Sequence, residues 1–333
     1  MMPIENKVDI SVLVTSVIQR EITIETVNYY AELSGEVIFV DEELPHLSKN
    51  EINSMKKKGI IYIPYISRGL KAAAYEKRKI ATNHSTKNFV VHSNHDERYT
   101  LTGLKACVDE LEKDNNLIFC AGQAIAIRGD KSNIHLTRSY KNLHKYSNMN
   151  SVEERLYYHA ENYAPIAHYS VWRKKSYINA TIETLKIHDL MPSRTMLEEI
   201  IFELAADLSG NSKTVPVLYW IRNRINPPFG TWTPPGKEDK GDQVFVAFEK
   251  KLSLLLNTLD DEQMNIIMDG LKKNLPFVKS YGLISKSVLL TKRLFRTFKK
   301  KKKITFRDID IFLHENKIKY DKNEISKVID SMI

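Results

Sequence analysis

A cluster of polar side chains follows an apolar segment of this chain. Residues 89–91 are Phe-Val-Val, and Asn94-His95-Asp96-Glu97 lies just beyond them. Such a run predicts a buried strand of a parallel sheet, and ligands bind beyond the carboxyl ends of these strands. Asp96 is therefore expected to meet a divalent cation, Mg²⁺ or Mn²⁺, and its phosphate ligand, with His95 and Glu97 as weaker candidates. The alternative is a solvated loop whose carboxylates cap the next helix.

Alternating strands and helices surround this cluster. Runs rich in β-branched residues predict strands, and apolar residues at helical spacing predict the helices between them. Together they indicate an α/β fold with right-handed βαβ units and a mostly parallel sheet flanked by helices. The predicted strands are 9–16, 36–41, 59–65, 89–93, 116–122 and 215–222, and the predicted helices are 25–33, 70–83, 102–113 and 195–208.

Two local features refine this pattern. Gly35 follows the first helical segment and is predicted to end it, because glycine adopts the left-handed conformation of a helix C-cap without strain. Residues 130–150 are polar and weakly periodic, which predicts a loop over the edge of the sheet.

The sequence divides into two parts around a segment rich in Pro and Gly. Residues 1–225 carry the α/β pattern, and residues 226–242 are predicted to be a linker. Residues 243–333 form a helical C-terminal appendage, with helical spacing at 244–258, 261–273, 285–298 and 306–315.

Size and composition are those of an ordinary globular protein. The 333 residues, of which 42% are hydrophobic, are enough for one large domain with an appendage. The two cysteines, Cys107 and Cys120, indicate neither a disulfide framework nor a cysteine-based metal site, so a reducing cytoplasm is expected. The sequence shows no secretory signal pattern and no apolar stretch of the roughly 20 residues that span a bilayer.

The net charge of +9 is concentrated in one segment near the C-terminus. Eight cations lie within residues 292–303, which leaves the rest of the chain near neutral. The helical segment that leads into the lysines has apolar residues on one stripe and cations elsewhere. This pattern is typical of a helix on an anionic membrane surface. The alternatives are a solvated charged helix and a nucleic-acid contact, although strands that end in carboxylates would repel a polyanion. The cations are Lys292, Arg293, Arg296, Lys299, Lys300, Lys301, Lys302 and Lys303.

The order of these elements resembles the GT-A fold of nucleotide-sugar glycosyltransferases, and most specifically a bacterial subfamily that builds surface polysaccharides. The stretch 11–20, Ser-Val-Leu-Val-Thr-Ser-Val-Ile-Gln-Arg, is similar to the T-V-L-V-P-T-Y-N-R of its first strand, without the proline. Asn94-His95-Asp96-Glu97 aligns with its D-D-D-F patch and keeps only the last aspartate.

Further similarities lie downstream, so that the resemblance covers roughly residues 8–225. The segment 168–173 resembles an aromatic stretch followed by arginine, Phe202-Glu203 resembles the family's acidic helix, and 220–222 resembles a strand that ends in arginine. Each motif is degenerate, and their order carries the specificity.

The resemblance implies a role for each matching residue. Asp96 would bind the metal, a carboxylate at Glu203 or Glu199 would take the proton of an acceptor hydroxyl, and Asp41 would contact the base or ribose. The simpler interpretations are a solvated helix face for the glutamates, surface charge for Arg173 and a plain turn at Asp41. The implied donor-binding residues are Thr15, Ser16, Arg20, Asp41, Lys71, Asn94, His95, Arg173 and Arg222.

The function expected from the resemblance is transfer of a sugar from a nucleotide-sugar donor to a glycan or lipid-linked acceptor in bacterial surface polysaccharide synthesis. The enzyme would act in the cytoplasm, at the inner face of the membrane. Two alternatives remain: a nucleic-acid-binding protein that uses the basic segment, and an inactive GT-A-like binding module, since Asn94 and His95 replace acidic residues.

Overall fold

The architecture is that of a computed structural model. It describes residues 7–16, 20–66, 73–95, 97–130, 133–140, 143, 149–188, 197–225, 250, 252–256, 259–274, 306–315, 317–330 and 332. The predictions for Lys71, Asp96, the linker at 226–242, the helix at 285–298 and the basic segment 292–303 lie outside the described residues.

The α/β part follows the predicted alternation of strands and helices. Its elements are β1 (Val8–Thr15), α1 (Arg20–Leu33), β2 (Ser34–Asp41), α2 (Lys49–Lys57), β3 (Ile60–Pro64), α3 (Ala73–His84), β4 (Phe89–Ser93), β5 (Glu97–Tyr99), α4 (Leu101–Lys113), β6 (Leu117–Asp130), β7 (Asn133–Ser139), α5 (Val152–Glu161), a 3₁₀ turn (Ala167–Tyr169), β8 (Val171–Arg173), α6 (Lys174–His188), α7 (Leu197–Ser209) and β9 (Asn211–Ile225). The described residues after β9 include the helices α8 (Asp261–Asn274), α9 (Phe306–Glu315) and α10 (Lys322–Asp330).

The first half of the sheet is parallel, as the sequence predicts. The sheet order is β3-β2-β1-β4-β8-β6-β9-β5, and β1 pairs in parallel with both β2 and β4. The apolar runs of β1, β2 and β4 are buried because helices cover both faces. The chain moves outward from β1 to β3 and then returns to β4 on the other side. The carboxyl ends of β1 and β4 therefore flank a topological switch point, where ligands bind in such folds.

The second half of the sheet is mixed and corrects one prediction. β8 is antiparallel to both β4 and β6, and β5 is antiparallel to β9. β7 pairs with β6 from Asn133 to Ser139. The segment 130–150 is therefore partly a strand: its polar side chains concealed a hairpin, since backbone pairing to a long neighbour does not require an apolar face.

The end of α1 corrects another prediction. The helix continues to Leu33 and the next residue already belongs to β2, so that Gly35 lies inside a strand. Ser34 makes this abrupt change possible, because its Oγ donates to the carbonyl of Tyr30 at 2.9 Å and satisfies a group that the helix end leaves open.

The C-terminal helices α9 and α10 pack against the sheet. Ile309, Leu313, Ile325 and Val328 form a buried cluster with side chains of β6 and β9. The chain between α9 and α10 pairs with β9, because the backbone N–H of Leu218 donates to the carbonyl of Lys319 at 2.7 Å. Helices at 261–274 and 306–315 confirm two predictions for this part. No helix in the described ranges is long and apolar enough to cross a membrane.

Candidate active site at the carboxyl edge of the sheet

The ends of β1 and β4 bring several predicted residues together. Thr15 Oγ1 lies 3.2 Å from Nε2 of His92, which precedes the end of β4. The carbonyl of Ser16 accepts a hydrogen bond from Lys77 Nζ at 2.5 Å, and Lys77 also forms a buried ion pair with Glu42 at 2.6 Å. Thr15 therefore contacts His92 of β4, and Ser16 contacts Lys77 of α3, at the switch point.

Asp41 is fully buried, and four donors from the protein occupy its carboxylate. Oδ1 accepts from Ser16 Oγ at 2.8 Å and from the backbone N–H of Glu43 at 3.2 Å. Oδ2 accepts from Arg20 Nε at 2.8 Å and from Tyr62 Oη at 2.9 Å. A carboxylate has about four lone-pair positions. Asp41 and Arg20 therefore hold the loop after β2, and the contact of Asp41 with base or ribose stays a prediction.

Arg78 is a buried cation that the sequence-based predictions did not include. It lies on α3, only 4% of it is exposed, and its Nη2 donates to His168 Nε2 at 2.5 Å. Within the described part of the chain it has no carboxylate partner, and its Nε makes no hydrogen bond. Buried charges are normally paired, because removing an ion from water costs several kcal/mol. A ligand phosphate would supply the missing anion.

Two neutral histidines separate Arg78 from the strand ends. The rings of His92 and His168 lie 5.6 Å apart in an edge-to-face arrangement. Burial, and then the charge of Arg78, lowers the pKa of both imidazoles well below 6.5. Both rings are therefore uncharged near neutral pH, and Arg78 provides the positive charge in this part of the site.

The turn after β4 carries Asn94 and His95. Asn94 Nδ2 donates to Tyr169 Oη at 3.2 Å, which connects the turn to the 3₁₀ turn. The carbonyl of His95 accepts from Thr26 Oγ1 at 2.9 Å and from Arg98 Nη1 at 3.1 Å. Asn94 and His95 thus lie at the predicted edge, and their contacts to Tyr169 and α1 fix the turn on both sides.

Glu97 is engaged by three donors of β9, which corrects its assignment as a metal ligand. Its buried carboxylate accepts from the indole N–H of Trp220, from Arg222 Nε at 3.2 Å and from Arg224 Nη2 at 3.3 Å. Arg222 also donates to Tyr140 Oη, and its guanidinium lies 4.6 Å from the centroid of the Trp220 ring. Arg222 therefore neutralises Glu97, and its predicted phosphate contact stays a prediction.

Glu203, the first choice of catalytic residue, is sequestered in this arrangement. It is fully buried, and its two oxygens accept the backbone N–H groups of Ala167 and His168 at 2.8 and 2.7 Å. An acceptor hydroxyl has no access to it. Glu203 instead fixes the 3₁₀ turn that carries His168 and Tyr169.

Glu199, one helical turn earlier on α7, is the better candidate base. It is half-buried, and its Oε1 accepts a hydrogen bond from Tyr163 Oη at 2.7 Å. Burial raises the pKa of Glu199, while Tyr163 and then the cations Arg222 and Arg78 lower it. A carboxylate with a raised pKa is a stronger proton acceptor once ionised, which suits a general base.

Arg173 lies at the opposite edge of the sheet, and its predicted phosphate contact is corrected. It pairs with Phe89, the first residue of β4, because β8 runs antiparallel to that strand. Its guanidinium donates to the carbonyls of Leu111 and Leu117. The spacing of the aromatic segment and this arginine did not show that the chain reverses direction there.

A buried network behind the 3₁₀ turn ties its stability to pH. His159 Nδ1 lies 2.7 Å from Asp207 Oδ2, and His159 Nε2 lies 3.7 Å from Glu203 Oε2. Burial raises the pKa of Glu203 to about 8, although His159 and two backbone N–H groups lower it. The pKa of His159 is also raised: burial lowers it, but the interaction with Asp207 and Glu203 prevails.

We expect the stability of the protein to fall as the pH rises from about 5 to 8. A carboxyl whose pKa is raised in the folded state contributes stability below its unfolded pKa, and loses it as the pH passes the folded pKa of about 8. The change should be on the order of a few kcal/mol. Chemical unfolding at a series of pH values should show a flatter profile for Glu203→Gln, and a wild-type profile for the matched variant Glu183→Gln on α6. Equal slopes for all three proteins would contradict the assignment.

The predicted site for a divalent cation depends on Asp96, which lies outside the described residues. The described residues contain no group of three His, Cys, Asp or Glu side chains that could hold a metal ion, and Glu97 is engaged elsewhere. Mg²⁺ commonly takes one or two protein carboxylates and completes its shell with substrate phosphates and water. Asp96 is the carboxylate that the sequence offers for such a site.

The architecture is that of a GT-A-like fold: the parallel β1–β4 half leads into a mixed half, with the candidate site at the switch point. Comparison with solved structures confirms it. The chain is similar to residues 1–349 of S. aureus TarS (13% identity, TM-score 0.52, covering 84% of this chain and 76% of that one). The complex of that protein with UDP gives 14% identity and a TM-score of 0.55 over 84% and 75% of the two chains. The UDP-GlcNAc complex gives 14% and 0.50 over 85% and 76%.

Identities this low establish the fold alone. No protein-family profile matches the sequence, and no curated protein is significantly similar to it. The function therefore has to be argued from the site.

Proposed function

We propose that this chain is a nucleotide-sugar glycosyltransferase of surface polysaccharide synthesis. The observation that carries the proposal is the buried guanidinium of Arg78, which has no carboxylate partner in the described structure and is connected through His168 and His92 to Thr15 at the switch point of a GT-A-like sheet. The diphosphate of a nucleotide sugar has the charge that this position lacks. The UDP and UDP-GlcNAc complexes of TarS support a uridine diphosphate sugar as the first donor to test.

The proposed chemistry divides between two residues on the helices of one face. Arg78 holds the diphosphate and compensates the negative charge that develops on it as the glycosidic bond breaks. Glu199 takes the proton of the acceptor hydroxyl as its oxygen attacks the sugar carbon. Thr15 and Ser16 form the wall of the crevice next to β1, and the turn at Asn94 and His95 forms the wall next to β4.

Thermal unfolding with nucleotides tests the proposal. A ligand that binds only the folded state raises the melting temperature. At a concentration 100 times the Kd it increases the free energy of unfolding by about 2.7 kcal/mol. UDP, UDP-GlcNAc and other UDP sugars should stabilise the protein, whereas UMP and free sugars should not. Absence of stabilisation by every nucleoside diphosphate and nucleoside diphosphate sugar would refute a transferase. Stabilisation without sugar transfer or donor hydrolysis would favour the inactive binding module.

A divalent cation is proposed to support donor binding through Asp96. When bound, the cation would neutralise part of the diphosphate charge. We expect Asp96→Asn to raise the Mn²⁺ or Mg²⁺ concentration needed for half-maximal UDP binding by about tenfold, with the melting temperature of the ligand-free protein unchanged. Calorimetric titration of UDP at several Mn²⁺ concentrations measures this. An unchanged Mn²⁺ requirement in Asp96→Asn would show that Asp96 does not bind the cation.

The acceptor and location remain further parts of the proposal. A glycan or lipid-linked acceptor at the cytoplasmic face of the membrane is supported by the cationic stretch 292–303. Each lysine near an anionic surface contributes about 1 kcal/mol, so changing Lys299 to Lys303 to glutamine should abolish cosedimentation with phosphatidylglycerol vesicles. Donor hydrolysis should be unaffected. Retention of vesicle binding, or tight binding to a random-sequence duplex without vesicle binding, would contradict the membrane contact.

A further inference from the structure

We propose that a cavity between α1 and the C-terminal helix α10 is a binding site for a neutral oligosaccharide. The cavity has a volume of about 970 Å³ and is walled by α1, by β5, by the start of α4 and by α10. This volume lies at the upper end of the 300–1,000 Å³ that is typical of small-ligand pockets. The inference does not depend on transferase activity, since the cavity lies outside the switch-point crevice.

The charge of the lining excludes anionic ligands. The acidic side chains at the cavity are Glu25, Glu32, Asp321 and Glu324, against the cations Arg98 and Lys327. Two of the four are already engaged at helix N-termini. Glu324 accepts hydrogen bonds from the backbone N–H and the hydroxyl of Thr102 at α4, and Asp321 Oδ1 accepts from the backbone N–H groups of Asn323 and Glu324 at α10. The lining as a whole carries four acidic side chains against two cations, so a nucleotide or a phosphorylated glycan is disfavoured and a neutral ligand is preferred.

The other lining groups suit sugar hydroxyls. The side-chain amide of Asn323 offers donors and an acceptor, as a hydroxyl does, and carboxylates accept from vicinal hydroxyl pairs. Asn28 offers its amide N–H groups, because its Oδ1 already accepts from Lys58 Nζ at 2.8 Å. Tyr29, Leu33 and Leu101 provide an apolar surface beside them. A pyranose has the same combination, with hydroxyls at its rim and C–H groups on its faces.

Arg98 is a buried cation on one wall of the cavity. It lines the cavity although only 3% of it is exposed, and its Nη1 donates to Thr26 Oγ1 at 2.8 Å and to the carbonyl of Glu97 at 2.9 Å. Its Nε has no hydrogen-bond partner in the described structure. This Nε is shielded from the cavity, so Arg98 contributes positive charge to the wall and no hydrogen bond to a ligand.

Cavity-filling variants test the proposal. Maltotriose, cellotriose and chitotriose should be titrated into the intact chain by calorimetry, with glucose 1-phosphate as the anionic comparison. At least one trisaccharide should bind with a Kd of about 1 mM or below. Asn28→Trp and Asn323→Trp should each weaken that binding by about tenfold or more, because the indole occupies ligand volume. The matched variant Asn53→Trp, on the exposed face of α2, should bind like the wild type.

Three outcomes would overturn the site. These are failure of all three trisaccharides to bind the wild type, binding that persists in both filled variants, and tighter binding of glucose 1-phosphate than of any neutral sugar. UDP affinity and melting temperature are measured on the same proteins. Retained UDP binding in Asn323→Trp, an exposed position, shows that the variant is folded. Failure of the wild type to bind UDP would instead count against the transferase proposal and would leave the result for the cavity unchanged.

Discussion

Replacing Glu199 by glutamine is expected to lower the rate of sugar transfer by about 100- to 10,000-fold, the range found for removal of a general base. The amide cannot take the proton of an acceptor hydroxyl. It is close in shape to the carboxylate and can still accept the hydrogen bond from Tyr163 Oη. Single-turnover transfer measures the chemical step, and calorimetry with UDP should give a wild-type Kd. A loss of rate without a loss of donor affinity identifies an interaction made in the transition state.

The pH dependence and two comparison variants sharpen this test. Because the base works in its ionised form, transfer by the wild type should fall as the pH drops below the raised pKa of Glu199, and Glu199→Gln should lose that limb. Glu183→Gln, on the exposed side of α6, should transfer normally. Glu203→Gln should mainly lose stability. Full transfer by Glu199→Gln, or a well-folded but inactive Glu203→Gln, would return the role of the base to Glu203.

The strands and their polar ends could be predicted because local sequence determines them. β-Branched runs buried on both faces left Thr15, Asp41 and Asn94 at the ends of β1, β2 and β4. The hairpin of β7 could not be predicted in this way. Its pairing partner lies on the long strand β6, and the polar side chains between 130 and 150 gave no apolar signal.

The roles of individual polar residues depend on packing between distant segments. Glu199 and Glu203 lie one turn apart on α7, and nothing in the local sequence distinguishes them. The carboxylate of Glu203 is occupied by the backbone N–H groups of residues 167 and 168, which lie more than thirty positions earlier in the chain. Asp41 is likewise occupied by Tyr62 and Arg20, which α1 and β3 bring to it.

Arg78 left a faint signal in the sequence. It lies in a helix whose other buried residues include Ala73, Tyr75 and Ala81, so the pattern places a cation on the side that faces the sheet. Helical spacing indicates that position. It does not show that the neighbours are a neutral imidazole and the ring of Tyr75, which leave Arg78 without a carboxylate in contact among the described residues.

Replacing Arg78 by methionine is expected to weaken UDP binding by about 10- to 150-fold, which corresponds to the roughly 1.5–3 kcal/mol of a hydrogen bond to a charged group. The side chain is similar in length but carries no charge. The same change should leave the free energy of unfolding unchanged or raise it, because it removes a buried charge that has no counter-ion in the described structure. Calorimetry with UDP and urea unfolding of the ligand-free protein measure the two effects.

Arg20→Met provides the contrasting control for stability. Arg20 is paired with buried Asp41 at 2.8 Å, so its removal leaves an uncompensated carboxylate and should cost about 3 kcal/mol or more.

Pyrophosphate should compete with UDP in the wild type and not in Arg78→Met, because the two share only the diphosphate group. Wild-type UDP affinity in Arg78→Met would show that the cation has a structural role only. A large loss of stability in the same variant would mean that His168 and the surrounding rings already compensate its charge, and the argument for an external anion at the switch point would fail.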